Sequence, residues 1–223
     1  MEDPSEAGGS PITVAIVDDE ALVRTGFTHI LNAAPDIRVV AATDGEGAVA
    51  AIGEAAPDVV LLDIRMPGKN GLEVLAEIAR EPNHPVIAML TTFDTDEHIA
   101  TALQSGAAGF LVKDTDPTQL PQLIRTLYGG GVVFSPVVST TVISGYLGRD
   151  AGSEERALEG LTNRERAVLI LLSEGQTNTE IGEALYLSVG TVKSHVSSIL
   201  SKLGVKSRVE AALLAERAGL LRK

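Results

Sequence analysis

The sequence predicts a doubly wound α/β domain with a five-stranded parallel sheet, followed by a small all-α domain. Three observations carry this. Between Ile12 and Tyr128 short apolar runs alternate five times with segments of helical period, the pattern of strands and crossover helices in a parallel sheet. The alternation stops at Gly129-Gly130-Gly131, and beyond residue 160 only helical periods recur. The charge also divides: residues 1–160 hold 9 Lys/Arg against 24 Asp/Glu, a balance of −15, whereas 161–223 hold 9 against 6, or +3. A chain of 223 residues exceeds one typical domain and suits two.

Composition narrows the function classes. The chain has no Cys, which fits a reducing cytosol. No segment approaches the ~18 to 20 continuous apolar residues of a membrane span, and Met1 to Ser10 is acidic and polar, unlike a signal peptide. The expectation is a cytoplasmic protein without membrane contact. The net charge of −12 alone argues against nucleic acid, but the split requires partners to be sought for each half separately.

Residues 1–11 form a polar leader rich in Gly, Pro and Ser, expected to be disordered. Ile12 to Val17 is a β-branched strand ending in Asp18-Asp19-Glu20. Leu22, Val23, Phe27, Ile30 and Leu31 follow at helical spacing. A strand at Ile37 to Ala42 and a helix from Glu46 to Glu54 lead to Val59 to Leu62, an unbroken apolar run that reads as a strand buried on both faces. It delivers Asp63 at its carboxyl end, and Pro67, Gly68 and Gly71 force a loop at once. A helix from Leu72 to Arg80, a strand from Val86 to Leu90 ending at Thr91, a helix from Glu97 to Ser105, a strand from Gly109 to Val112 ending at Lys113, and a helix from Pro117 to Tyr128 complete the alternation.

Right-handed crossovers put the carboxyl ends of parallel strands on one edge, so Asp18, Asp19, Thr91 and Lys113 can meet around Asp63. Crowded carboxylates repel one another and need a divalent cation, and hard oxygen ligands suit Mg²⁺. A metal-bound carboxylate beside a hydroxyl and an ammonium is a site for accepting a phosphoryl group. Taken singly, Asp18 and Asp19 read as helix caps, Thr91 as a strand residue and Lys113 as a solvated charge; those readings do not suit four strand ends at once.

Residues 12–128 resemble the flavodoxin-like receiver domain of two-component response regulators. The matching stretches are Ile16-Val17-Asp18-Asp19-Glu20, Leu62-Asp63-Ile64-Arg65-Met66-Pro67-Gly68, Met89-Leu90-Thr91-Thr92 and Gly106-Ala107-Ala108-Gly109-Phe110-Leu111-Val112-Lys113. The resemblance implies that Asp63 accepts phosphate from a sensor histidine kinase. It also implies that Asp18, Asp19 and Asp63 hold Mg²⁺ with the Arg65 backbone carbonyl, that Lys113 pairs with the phosphoryl oxygens, and that Thr91 swings to hydrogen-bond them. Phe110 stands at the family's switch aromatic; as a residue alone it reads equally as core.

Residues 129–160 are read as a linker in which Val137 to Leu147 has the makings of a short helix. The second domain, 161–223, opens with Thr162 and Glu165 in capping-box spacing, and Val168, Leu169, Leu171 and Leu172 then give a helix. Asn178 to Leu185 is a second short helix. Ser188 caps a third that runs to Leu203, with Val192, Val196, Ile199, Leu200 and Leu203 on its core face. Its other face carries Gly190, Lys193, Ser194, Ser197 and Ser201, small and donor-rich as a helix in a DNA major groove must be, which suggests helix-turn-helix. A fourth helix, Ser207 to Ala218, offers Val209, Ala212, Leu213 and Leu214 for pairing with a twin.

This part resembles the LuxR-type DNA-binding domain of NarL/FixJ-type regulators, through Leu161-Thr162-Asn163-Arg164-Glu165, Glu174-Gly175, Asn178-Thr179-Glu180-Ile181, Gly190-Thr191-Val192-Lys193-Ser194-His195 and Leu200-Ser201-Lys202-Leu203. By that likeness Lys193 and Ser194 face bases, Thr191 and Lys202 lie near phosphates, and Ser197 stands where some relatives have a Lys contact. His195 suits helix-flank packing and a phosphate contact equally. The whole reads as a transcription factor that dimerises on phosphorylation and binds double-stranded DNA. It does not read as an enzyme, beyond the receiver's own phosphorylation and dephosphorylation. A phosphatase of the haloacid dehalogenase type would want a second Asp two residues after the nucleophile, where Arg65 stands. A regulator indifferent to phosphate would not need the full set Asp18, Asp19, Asp63, Thr91 and Lys113.

Overall fold

The computed structural model describes residues 10–81, 84–91, 96–134 and 158–220. The leader up to residue 9 and the helix expected at Val137 to Leu147 lie outside them.

The first domain alternates β1 (Ile12–Val17), α1 (Ala21–Asn32), β2 (Ile37–Thr43), α2 (Ala48–Ala55), β3 (Val59–Asp63), α3 (Gly71–Ile78), β4 (Val86–Thr91), α4 (Asp96–Gln104), β5 (Gly109–Val112) and α5 (Leu120–Tyr128). The sheet is parallel in the order β2-β1-β3-β4-β5-β6, so β3 lies between β1 and β4. The expected five strands become six: β6 (Val133–Phe134) adds to the edge of β5 immediately after the glycine run. Two residues are too few to show a period, and this pair falls in the expected linker.

Every residue of β3 is buried. Its alternate side chains feed two cores: Val60 and Leu62 join Ile52, Val74, Leu75, Ile78, Ile99 and Leu103 on one face, while Val59 and Leu61 join Phe27, Leu31, Leu120, Ile124 and Leu127 on the other. Asp58 anchors the start of β3 by accepting from the Thr13 backbone N–H at 2.8 Å and from its hydroxyl at 2.7 Å. Helix α5 begins three residues later than Pro117 suggests. The Asp116 carboxylate accepts from the Thr118 N–H and hydroxyl, closing a turn that delays the helix.

The second domain comprises α6 (Asn163–Ser173), α7 (Asn178–Leu185), α8 (Val189–Leu203) and α9 (Arg208–Arg217). Thr162 and Thr177 each close a capping box, with Glu165 and Glu180, and Ser188 and Ser207 cap the other two. Leu161, Val168, Leu169, Leu172, Ile181, Val192, Ile199, Leu203, Ala211, Leu214 and Ala215 form its own core. Helix α9 differs from expectation on its apolar face: Leu214 turns into that core, whereas Val209 is buried in the first domain's α3/α4 core and Leu213 packs against it. Those two residues are covered by the other domain of the same chain, not presented to a twin.

Candidate functional site

The strand order brings the carboxyl ends of β1, β3, β4 and β5 side by side, and their terminal residues converge. Asp18, Asp63 and Thr91 are buried and Asp19 is exposed. The loop after β3 can return tightly because residue 71 is glycine: a Cβ there would overlap the Asp63 carbonyl oxygen. Asn70 then caps α3 in a capping box with Glu73, which fixes the loop that carries Arg65. The Arg65 backbone N–H donates to Asp63 Oδ1 at 3.2 Å.

Lys113 Nζ lies 2.9 Å from each of Asp63 Oδ2, Asp18 Oδ2 and Glu20 Oε1. The contacts to Asp63 and Glu20 are aligned hydrogen bonds; that to Asp18 is an ion pair that leaves its buried Oδ2 without a directed donor. Burial raises the Asp63 carboxyl above its ordinary range, and the Lys113 ammonium partly opposes the rise. For Lys113, burial works against the charged form, but the hydrogen bonds to Asp63 and Glu20 and the ion pair with Asp18 outweigh it and raise its pKa.

Carboxylate oxygens of Asp18, Asp19 and Asp63 all lie within 4.8 Å of one another. Three hard anionic donors, one of them a buried oxygen lacking a directed donor, fit a hard divalent cation such as Mg²⁺. Asp19 and Arg65 also line a depression of about 510 Å³ with Asn70 and His98. The Lys113 N–H donates to the Thr91 carbonyl at 2.9 Å, tying the ends of β4 and β5 together. Phe110 on β5 is fully buried, its ring centroid 6.2 Å from that of Phe134 on β6. Glu20 completes the grip on Lys113; in the sequence, a third acid after Asp18-Asp19 is indistinguishable from ordinary helix-start chemistry.

On α8 the sequence-predicted residues divide. Lys193 is exposed, and its Nζ sits 5.6 Å from the ring centroid of Tyr128, the last residue of α5. Ser194 and Ser197 are exposed and donate back to the Gly190 and Lys193 carbonyls, both at 3.1 Å. The Thr191 hydroxyl lies 2.8 Å from that of the capping Ser188. Lys202 is drawn away from the rest: it donates to both oxygens of the buried Glu165, at 2.8 and 2.7 Å. With Lys202 foremost, then Ser198 and the Thr162 N–H, these donors hold Glu165 down to about 2. Glu165 was legible as half of a capping box but not as the strut joining α6 to α8.

Among the described residues, contacts that join the domains besides the packing of α9 include Lys193 over Tyr128, the Asn178 N–H donating to the Gly129 carbonyl at 2.8 Å, and the approach of Gly130 to Asn178 and Arg208.

Residues 14–125 match the response regulator receiver domain, and 159–215 match the luxR family of bacterial regulatory proteins. Among relatives, the chain is 39% identical to the transcriptional regulatory protein LiaR of Bacillus subtilis, over 92% of this chain and 97% of that one. It is 37% identical to the nitrate/nitrite response regulator protein NarL of Escherichia coli, over 91% and 94%. Among solved structures, it resembles the response regulator ChrA of a heme-sensing two-component system, at 31% identity over 95% of this chain and 99% of that one, with a TM-score of 0.51. It also resembles RcsB in a structure of two dimers bound to two parallel DNAs, at 25% identity over 96% and 100%, with a TM-score of 0.55.

Proposed function

The chain belongs to the two-component response regulators that couple a receiver domain to a luxR-type DNA-binding domain, and from that premise we propose the residues that carry its switch. It is a transcriptional regulator, and Asp63 is its phosphoacceptor. The observation that carries this is the Lys113 ammonium 2.9 Å from both Asp63 and Asp18, beside a third carboxylate on one sheet edge.

Asp18, Asp19, Asp63 and the Arg65 backbone carbonyl would hold Mg²⁺, which supplies positive charge to offset an incoming phosphoryl group. An Asp63 carboxylate oxygen attacks the phosphorus of a phosphohistidine on a sensor kinase. The P–N bond breaks, its electron pair stays on the imidazole nitrogen, and an aspartyl phosphate forms. Lys113, already aimed at Asp63, pairs with the phosphoryl oxygens, and the Thr91 hydroxyl at the neighbouring strand end turns to hydrogen-bond them. Phe110 follows as the switch aromatic, and its stacking on Phe134 passes the change to β6.

Lys193 and Ser194 read bases, with Ser197 beside them, while Thr191 and Lys202 serve the phosphate backbone. Lys202 also braces Glu165. The domain arrangement supports a resting state in which Lys193 rests over the Tyr128 ring and the receiver covers Val209 and Leu213. Phosphorylation then favours an open homodimer on double-stranded DNA, in the cytoplasm. With Mg²⁺ and acetyl phosphate, one hydroxylamine-labile phosphoryl group is expected on the wild type and none on Asp63→Asn; full labelling of that variant would remove Asp63 from this role.

A further inference from the structure

Helix α7 begins at the domain seam. Its cap is internally satisfied: Thr177 donates its N–H and hydroxyl to Glu180, whose N–H returns to the Thr177 oxygen. The next N–H, that of Asn178 at the first helical position, reaches across the seam to the Gly129 carbonyl. Two polar side chains flank this spot. Asn178 is 7% exposed and its Oδ1 has no hydrogen-bond partner among the described residues; Arg208 is 8% exposed, donates to the Gln176 carbonyl at 2.6 Å, and its Nε likewise has none among them. No carboxylate among the described residues pairs with Arg208, and burial lowers its pKa to about 10. The receiver's turn presses on both side chains: Gly130 has φ +77°, and a Cβ there would clash with Asn178 Nδ2 and lie 2.8 Å from an Arg208 terminal nitrogen.

A buried guanidinium without a counter-ion is costly, and a chain that keeps one at a seam has a reason for the seam to open. The fork of Arg, the open N–H of a helix N-terminus and an amide side chain together match a phosphate. Helix α7 is also the first helix of the helix-turn-helix, the one that crosses the DNA backbone. We infer that Asn178, Arg208 and the N-terminus of α7 form a niche for a DNA phosphodiester, plugged in this arrangement by the Gly129–Gly131 turn, whose Gly129 carbonyl takes the place of a phosphate oxygen. The receiver and DNA thus compete for one niche. This inference rests on the DNA-binding reading of the second domain.

The test uses the full chain, with and without acetyl phosphate and Mg²⁺, titrated against fluorescein-labelled duplexes of several mixed sequences over a range of salt. In the phosphorylated protein, Arg208→Gln is expected to weaken binding to every duplex about tenfold and to reduce the slope of log K against log salt by about 0.9, one phosphate's share. Asn178→Pro deletes the N–H and the side-chain amide together, at a position where Pro suits a helix, and is expected to weaken every duplex several-fold while the fold is kept. Gly130→Ala, outside the DNA-binding domain, is expected to raise binding by the unphosphorylated chain and to leave the phosphorylated slope unchanged. A folded Arg208→Gln with wild-type affinity, or with weaker binding at an unchanged slope, overturns the niche, as does an Asn178→Pro that binds like wild type. A Gly130→Ala that binds no better without phosphate overturns the plug. Wild type that binds no duplex would remove the DNA-binding reading and this inference together.

Discussion

Two lysines of α8 carry different duties, which the geometry separates. The Lys193 ammonium lies over the Tyr128 ring, whereas Lys202 is tied by two hydrogen bonds to the buried Glu165. Lys193→Ala should therefore lower DNA affinity by about 1 to 3 kcal/mol if it reads a base, with little change in melting temperature. Lys202→Ala should instead cost about 1.5 to 3 kcal/mol of stability, since it strands a buried carboxylate. Thermal melts beside DNA titrations separate the two, and a Lys202→Ala that melts like wild type contradicts the strut. The same pair sets a pH dependence. Glu165 has its folded pKa depressed to about 2 from 4.5, so its stabilisation is complete above about 4.5 and is lost as pH falls from there toward 2. Acid titration of the second domain's melting temperature should show this loss, flattened in Glu165→Gln. The strand-end residues Asp18, Asp63, Thr91 and Lys113 were legible because each closes an apolar run. Arg208 was not, since its burial arises from the other domain and its sequence neighbours resemble any helix start.

At the scale of elements, what was legible followed from period and caps. The run Val59 to Leu62 announces a doubly buried strand, and Thr162 with Glu165 announces a helix start; both formed as expected. Helix α5 began later because the Asp116 turn competes with the helix, a local hydrogen bond that apolar spacing does not register. Strand β6 lay below the reach of periodicity, yet it carries Phe134, which packs on Phe110. On the proposal that Phe110 is the switch aromatic, β6 is the element placed to sense it, directly after the glycine turn at the seam. Phe134→Ala should cost about 1 to 3 kcal/mol of receiver stability, since Phe134 is only partly buried. It should also raise DNA binding by the unphosphorylated chain, because the turn loses its anchor. Guanidinium denaturation and DNA titration of the same variant check both; a destabilised variant with unchanged resting affinity would show that β6 braces the receiver without relaying the switch.

For the molecule as a whole, the charge split sets an acidic receiver beside a mildly basic second domain. The domains do meet, but the contacts at the seam are a ring under Lys193, a backbone carbonyl on Asn178, and Val209 and Leu213 buried in the receiver's core. None of these is written in net charge, which explains why the chemistry of the seam was not legible in the sequence. With Lys193 and the apolar residues of α9 engaged at once in this arrangement, phosphorylation on the proposed function acts by stabilising an open state more than the closed one. The most direct test is a DNA titration of the full-length protein at one fixed salt concentration, for wild type and Asp63→Asn, each with and without acetyl phosphate and Mg²⁺. The wild type should gain at least tenfold in affinity on phosphorylation while Asp63→Asn stays at the resting value. An equal gain in Asp63→Asn, or no gain in a fully phosphorylated wild type, would contradict control of DNA binding through Asp63.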